Sequence, residues 1–185
     1  MIYSGRFKVT SPFGMRVLNG VTENHKGIDA VSLGSKYVCA VRSGVVAVSQ
    51  MVKDKGNRTW EWGNYVCVLG DDGNYYYYCH LAQRLVDVGK RVEAGDHLGV
   101  EGNTGRSFGN HCHFEVRNGS NVSIDPSGFL GAENAVGIYG IDYREEAKER
   151  FGLSEDTMKY LDRYKYAADL YRKLYEVGEP NSRAE

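Results

Sequence analysis

Cysteine, charge imbalance and long apolar runs are all scarce in this sequence, and each shortage removes a class of protein. Four cysteines (Cys39, Cys67, Cys79 and Cys112) are too few and too scattered for a disulfide scaffold, and no CxxC pair marks a structural zinc knot. They read as reduced core thiols, in keeping with synthesis in a reducing cytoplasm. Twenty-three basic residues against 24 acidic ones leave a formal net charge of -1, so no global field draws the chain to nucleic acid or to an anionic membrane. No stretch approaches the ~20 apolar residues of a spanning helix. The first residues, Met1 to Met15, hold no apolar run of signal-peptide length. Neither a nucleic-acid partner nor membrane insertion is expected, and the oligomeric state is left open.

What is present is an ordinary globular composition, 42% hydrophobic and 25% charged, enough for one medium domain with an appendage. From Met1 to Gly131 short β-branched or aromatic runs alternate with glycine turns: Tyr37 to Val41, Gly44 to Val48, Tyr65 to Leu69, Tyr75 to Cys79 and His111 to Val116. Asp72, Gly73 and Asn74 tolerate positive φ, which predicts a tight antiparallel hairpin joining Tyr65–Leu69 to Tyr75–Cys79. The expected organisation is a mainly β domain over 1–131 and a glycine-rich linker over 132–141. A helical tail over 142–178 and a disordered end over 179–185 follow. In the tail, Asp142 and Glu145 form a capping pair for a short helix ending at Gly152. Leu161, Tyr164, Ala168, Tyr171 and Tyr175 recur at three and four, which predicts one longer helix from about Ser154 with a packing stripe, or else a dimer seam or docking face.

Histidine is sparse too, and its placement is informative. His111 and His113 flank Cys112 in a strand pattern, so both imidazoles leave one face of the sheet. Such a pair can hold one metal together, or supply one ligand and one base. His25 and Asp29 lie four apart around Gly27, read as a glycine that lets the backbone turn tightly. With one histidine of the HxH pair they make up a two-histidine, one-aspartate set, the size of a catalytic zinc site that keeps a fourth position open. His80 ends a strand, and with His111 it is a candidate for moving a proton to and from a reacting water.

Five blocks in order carry a resemblance: Val9–Arg16, His25-Lys26-Gly27-Ile28-Asp29, Tyr78-Cys79-His80-Leu81, Gly102-Asn103-Thr104-Gly105 and His111-Cys112-His113-Phe114-Glu115-Val116. Together they resemble the lysostaphin and LytM-like metalloendopeptidases over about residues 7 to 131. The resemblance implies a barrel-like antiparallel sheet with a groove, the duplicated hybrid motif. It implies one zinc held by His25, Asp29 and His113, with His80 and His111 orienting and deprotonating the reacting water. It implies as substrate the peptide stems or cross-bridges of bacterial peptidoglycan. Asn110, Cys112 and Cys79 depart from the family pattern, and Cys79 and Cys112 are expected to point away from the metal.

The loop Met51–Gly63, with Trp60 and Trp62, is expected to build a groove wall, where the tryptophans either meet substrate or pack the loop onto its own domain. The string Gly105–Gly109 matches GxSxG, but a strand rather than a helix follows it and no histidine lies beyond His113. A cysteine nucleophile beside a strand histidine would face away from it. His97 reads as structural and Asp125-Pro126 as a turn. The rival function is a LytM-like module that binds or regulates without chemistry. Action on the cell wall with no export signal in the chain suggests either a phage-type lysin released by lysis or a mature or shortened form.

Overall fold

A computed structural model describes residues 1–177 apart from 19, 58 and 165; the end expected to be disordered, residues 179–185, lies outside the described residues. The first strands are β1 (Phe7–Ser11), β2 (Gly14–Leu18), β3 (Val21–His25), β4 (Ile28–Ser32) and β5 (Tyr37–Cys39). The middle of the chain forms β6 (Gly44–Met51), β7 (Asn64–Gly70), β8 (Tyr75–Cys79), β9 (Gln83–Arg84), β10 (Arg91–Val92) and β11 (His97–Val100). Then come β12 (Cys112–Arg117), β13 (Ser123–Ile124) and β14 (Gly137–Tyr139). Four helices occupy the remainder: α1 (Ser127–Leu130), α2 (Tyr143–Phe151), α3 (Glu155–Leu161) and α4 (Ala167–Val177). Among the described residues no helix is long and apolar enough to cross a membrane.

Nine strands form one antiparallel sheet in the order β10-β6-β7-β8-β12-β4-β1-β14, with β13 beside β12. A smaller sheet, β5-β11-β9, and the separate β2-β3 hairpin complete the domain. The large sheet keeps free edges at β10 and β14, so it does not close into a barrel. The predicted hairpin is present, with Val66 opposite Tyr78 and Leu69 opposite Tyr75, and Gly73 turns it at φ 80°.

Alternation along the central strands separates core from groove. Ile28 and Ala30 of β4 and Cys112, Phe114 and Val116 of β12 are buried in the main core with Val38 and Leu98 of the smaller sheet. Asp29, His113 and Glu115 therefore leave the opposite face, the consequence of a period of two. Burying Phe114 completely contributes about 2–3 kcal/mol. All four cysteines are free and buried.

The tail departs from its sequence reading in two places. The expected linker contains β14, which pairs with β1 through Phe7 opposite Tyr139. The one long helix is broken: α3 ends at Leu161 and α4 begins at Ala167. The reversal lets Tyr171 pack on Met158 and Ala147, and its hydroxyl donates to Asp162 at 2.8 Å, so packing outweighs the continuous stripe. Tyr164 is left exposed at the break. The short helix α2 matches expectation, with Asp142 accepting from the Glu145 amide and left-handed Gly152 closing it.

Candidate metal centre

Three neighbouring strands and the end of a fourth bring the candidate residues together. Asp29 on β4 lies directly opposite His113 on β12, so the two side chains share a face at close range. His25 is the last residue of β3, and the chain returns to β4 through Gly27. Gly27 needs no unusual φ; what excludes a side chain is proximity. A Cβ there would lie 2.4 Å from the Phe114 carbonyl oxygen and 2.8 Å from the His113 ring. The tight-turn reading of this glycine is thus replaced by close approach of β12.

His25 Nε2 lies 3.0 Å from His113 Nδ1 and 3.2 Å from Asp29 Oδ1, and His113 Nδ1 lies 2.9 Å from the same oxygen. Donor atoms around a tetrahedral zinc with ~2.0–2.1 Å bonds stand roughly 3.3 Å apart, so the spacing fits such an ion. The outer bonds agree. His25 Nδ1 donates to the Pro12 carbonyl at 2.8 Å, which leaves Nε2 with its lone pair inward. Two imidazole lone pairs and one carboxylate oxygen converging in a half-buried site are the donor set of a cation.

Electrostatics follow from the packing. Burial would raise the Asp29 pKa, but the His113 and His25 rings, 2.9 and 3.2 Å from its Oδ1, outweigh it and hold the carboxyl far below its usual range. Arg16 Nη1 adds an ion pair to Asp29 Oδ2 at 3.0 Å. Burial would lower His113, yet its hydrogen bond to Asp29 and the nearby Glu115 carboxylate raise it to about 9. Without a metal, that ring carries a proton.

The His80 and His111 rings pack against each other, centroids 4.7 Å apart, and His80 lies 5.9 Å from the His113 ring. His80 follows β8 in the left-handed region at φ 63°, which costs a non-glycine residue about 1–2 kcal/mol. Its Nδ1 donates to the Thr104 carbonyl at 2.8 Å, leaving Nε2 for the groove. Burial, then the neighbouring His113 and His111, lower its pKa to about 3. His111 is oriented likewise, Nδ1 to the Gly109 carbonyl at 2.8 Å, with Nε2 3.6 Å from Asp29 Oδ1.

The Gly102–Gly105 block acts through its backbone: Thr104 supplies the carbonyl that His80 needs. Gly105 and Gly63 pack backbone against backbone, since a Cβ on either would lie 2.4 Å from the other's loop. That contact sets the short turn Trp60–Trp62 against the site. Trp62 lines the groove and Trp60 does not. Trp62 also stacks edgewise on Tyr65 at 5.1 Å, so it packs its loop as well as walling the groove.

Other sequence readings resolve here. Cys112 lies in the core as expected, but Cys79 is paired opposite His113 and so shares its face; it is buried beneath Trp62, Tyr65 and Tyr77. The expectation that Cys79 turns away fails because β8 keeps its alternation up to that residue, and the left-handed turn comes only at His80. Ser107 donates to the Gly109 carbonyl and no helix follows it, so GxSxG forms no nucleophile elbow. His97 stacks on Tyr37 away from the site, 4.4 Å between rings. Arg16, Thr104 and Glu115 take part in the site but were not singled out as site residues in the sequence.

The model of peptidase family M23 matches residues 23–126, a span that holds all five clustered residues. The chain belongs to peptidase family M23. This M23 chain is 32% identical over 162 residues to the peptidoglycan DD-endopeptidase ShyC of Vibrio cholerae serotype O1, covering 85% of this chain and 34% of ShyC. Among solved structures it resembles the catalytic domain of the antimicrobial peptidase lysostaphin from Staphylococcus simulans, with TM-score 0.53 and 27% identity over 69% of this chain and 92% of that one. A zinc-containing peptidase from Vibrio cholerae is similar at TM-score 0.54 and 29% identity, covering 63% of this chain and 35% of that one. The M23 chain spans about a third of the length of the curated relatives it matches, or less. Family and geometry together mark His25, Asp29 and His113 as a group able to hold a metal.

Proposed function

We propose that this chain is a zinc-dependent endopeptidase that hydrolyses peptide bonds in bacterial peptidoglycan, on the outer side of the cytoplasmic membrane. The observation that carries the reading is the gathering of two sets: three ligand atoms within 4.8 Å of one another, and beside them two imidazoles held by their Nδ1 atoms. His25, Asp29 and His113 are the proposed ligands, and His80 and His111 the proposed proton carriers. Bound zinc would polarise the scissile carbonyl and make a neighbouring water more acidic. His80 stays neutral at working pH, so its Nε2 can take a proton from the attacking water and return it to the leaving amine. His111, whose Nε2 is likewise unprotonated, lies close enough to share that role and, once it has taken the proton, to donate to the developing oxyanion. The arginines, Lys26 and Glu61 around the groove make a polar cleft suited to a charged peptide. The binding-only reading would need a missing ligand or proton carrier, whereas all five positions are filled and gathered.

The test is mass spectrometry of fragments released from purified peptidoglycan of several cross-link types. New peptide termini are expected with the unmutated chain. None should appear with His113→Ala, which loses zinc. His80→Ala should keep zinc and lose about 10²–10⁴ in rate. A zinc-loaded protein that releases nothing from any wall overturns the enzyme reading in favour of a binding module.

A further inference from the structure

Each site histidine has a second ring nitrogen, and three of the four use it in one way: His25, His80 and His111 donate from Nδ1 to backbone carbonyls of Pro12, Thr104 and Gly109, each at 2.8 Å. His113 is the exception. Its Nδ1 faces the ligand group, so Nε2 must carry the ring proton, and Nε2 points to a carboxylate: Glu115 Oε2 at 3.7 Å. Glu115 is only 1% exposed. Its other oxygen is taken twice, by Arg117 Nε at 2.7 Å and Ser123 Oγ at 2.6 Å, which aims Oε2 at the ring. The Arg117 guanidinium is itself seated over the rings of Trp62 and Tyr77, 5.3 and 5.1 Å from their centroids. Strand alternation alone puts residue 115 on the face of residue 113.

We propose that Glu115 is a positioning residue for the metal: it fixes the His113 tautomer that leaves Nδ1 as the ligand, and its charge makes that nitrogen a stronger donor than those leaning on carbonyls. At 3.7 Å the carboxylate is beyond full hydrogen-bond length but within ion-pair range of Nε2, close enough to favour the tautomer that keeps the proton there. A carboxylate behind a ligating imidazole raises ligand basicity, and losing such a partner costs about 10- to 100-fold in metal affinity. The inference rests on the metal reading above and not on the substrate.

Glu115→Gln tests it. The glutamine oxygen can still accept from Arg117 and Ser123, but the amide then presents N–H to N–H at His113. Zinc affinity, measured by competition with a chromophoric chelator, should fall about 10- to 100-fold, and the visible bands of the cobalt-substituted protein should shift. Ser43→Ala, whose hydroxyl bonds Glu93 and no residue of the site, should leave both unchanged. If Glu115→Gln does not fold, Glu115→Asp takes its place, with a smaller loss of affinity expected. A folded variant at position 115 that binds zinc as tightly as the unmutated chain, with unshifted cobalt bands, overturns the proposal. An unmutated chain that holds no zinc overturns the metal reading itself, a distinct outcome.

Discussion

Two histidines that sit within one site are pulled in opposite directions, and the metal-free protein should show it. His113 is raised to about 9 from a usual value near 6.5, so between those pH values the folded state holds a proton that the unfolded chain has lost. That contribution is complete below about 6.5 and fades as pH rises toward 9. His80 is depressed to about 3, so the unfolded chain holds the extra proton between about 3 and 6.5, and stability drains as pH falls through that window. The melting temperature in a chelator should therefore peak near pH 6.5, and the increment from added zinc should widen between pH 6.5 and 9 as the competing proton leaves His113. Scanning calorimetry across pH 4–9 checks this; a metal-free melting temperature that climbs steadily to pH 9 contradicts it. At this scale the sequence was readable wherever chemistry resides in side chains. The histidines and Asp29 stand out by type and spacing, while the carbonyls of Pro12, Thr104 and Gly109 carry no signature because any residue provides one. Glu115 was legible by the same alternation as His113, but an acid on a strand also suits an exposed face.

Among elements, the site depends on how near β12 comes to the turn between β3 and β4. Gly27→Ala should push a methyl group into the Phe114 carbonyl and the His113 ring, displacing one or both strands. The expected result is weaker zinc binding and destabilisation of about 1–3 kcal/mol, the usual cost of overpacking. Chelator competition and urea unfolding measure the two, and an unchanged zinc affinity would show that β12 yields without disturbing its ligand. The long strands β6, β7, β8 and β12 were legible because alternating, β-branched and aromatic runs exceed four residues. Short edge pieces such as β13 and β14 were not, since two or three residues hold too little pattern and pair only because a longer strand offers a free edge. The break between α3 and α4 was hidden for another reason: the apolar period continues across it, and only the packing of Tyr171 onto Met158 decides for a reversal.

Over the whole molecule, the site sits at the middle of the large sheet, on β4, β12 and the end of β8, with His25 brought in from β3, while α2, α3 and α4 build a separate small core around Ala147, Met158 and Tyr171. Arg6 meets Asp142 at 2.8 Å where the two parts join. Because that core is remote from the ligands, Met158→Ala should lower the stability of the tail by about 2–5 kcal/mol and leave zinc affinity as it was. Hydrogen exchange resolves the two regions, and a parallel loss of zinc would mean that tail and site are one cooperative unit. The division of labour at the groove has an evolutionary corollary. Three imidazoles are aimed by peptide groups, which a substitution preserves so long as the loop keeps its path, so those loops can drift in residue identity, close-packed Gly105 apart, while the proton-handling geometry is inherited unchanged. Glu115 enjoys no such freedom, and divergence in this protein should be held in check there as it is at the ligands, one strand step away.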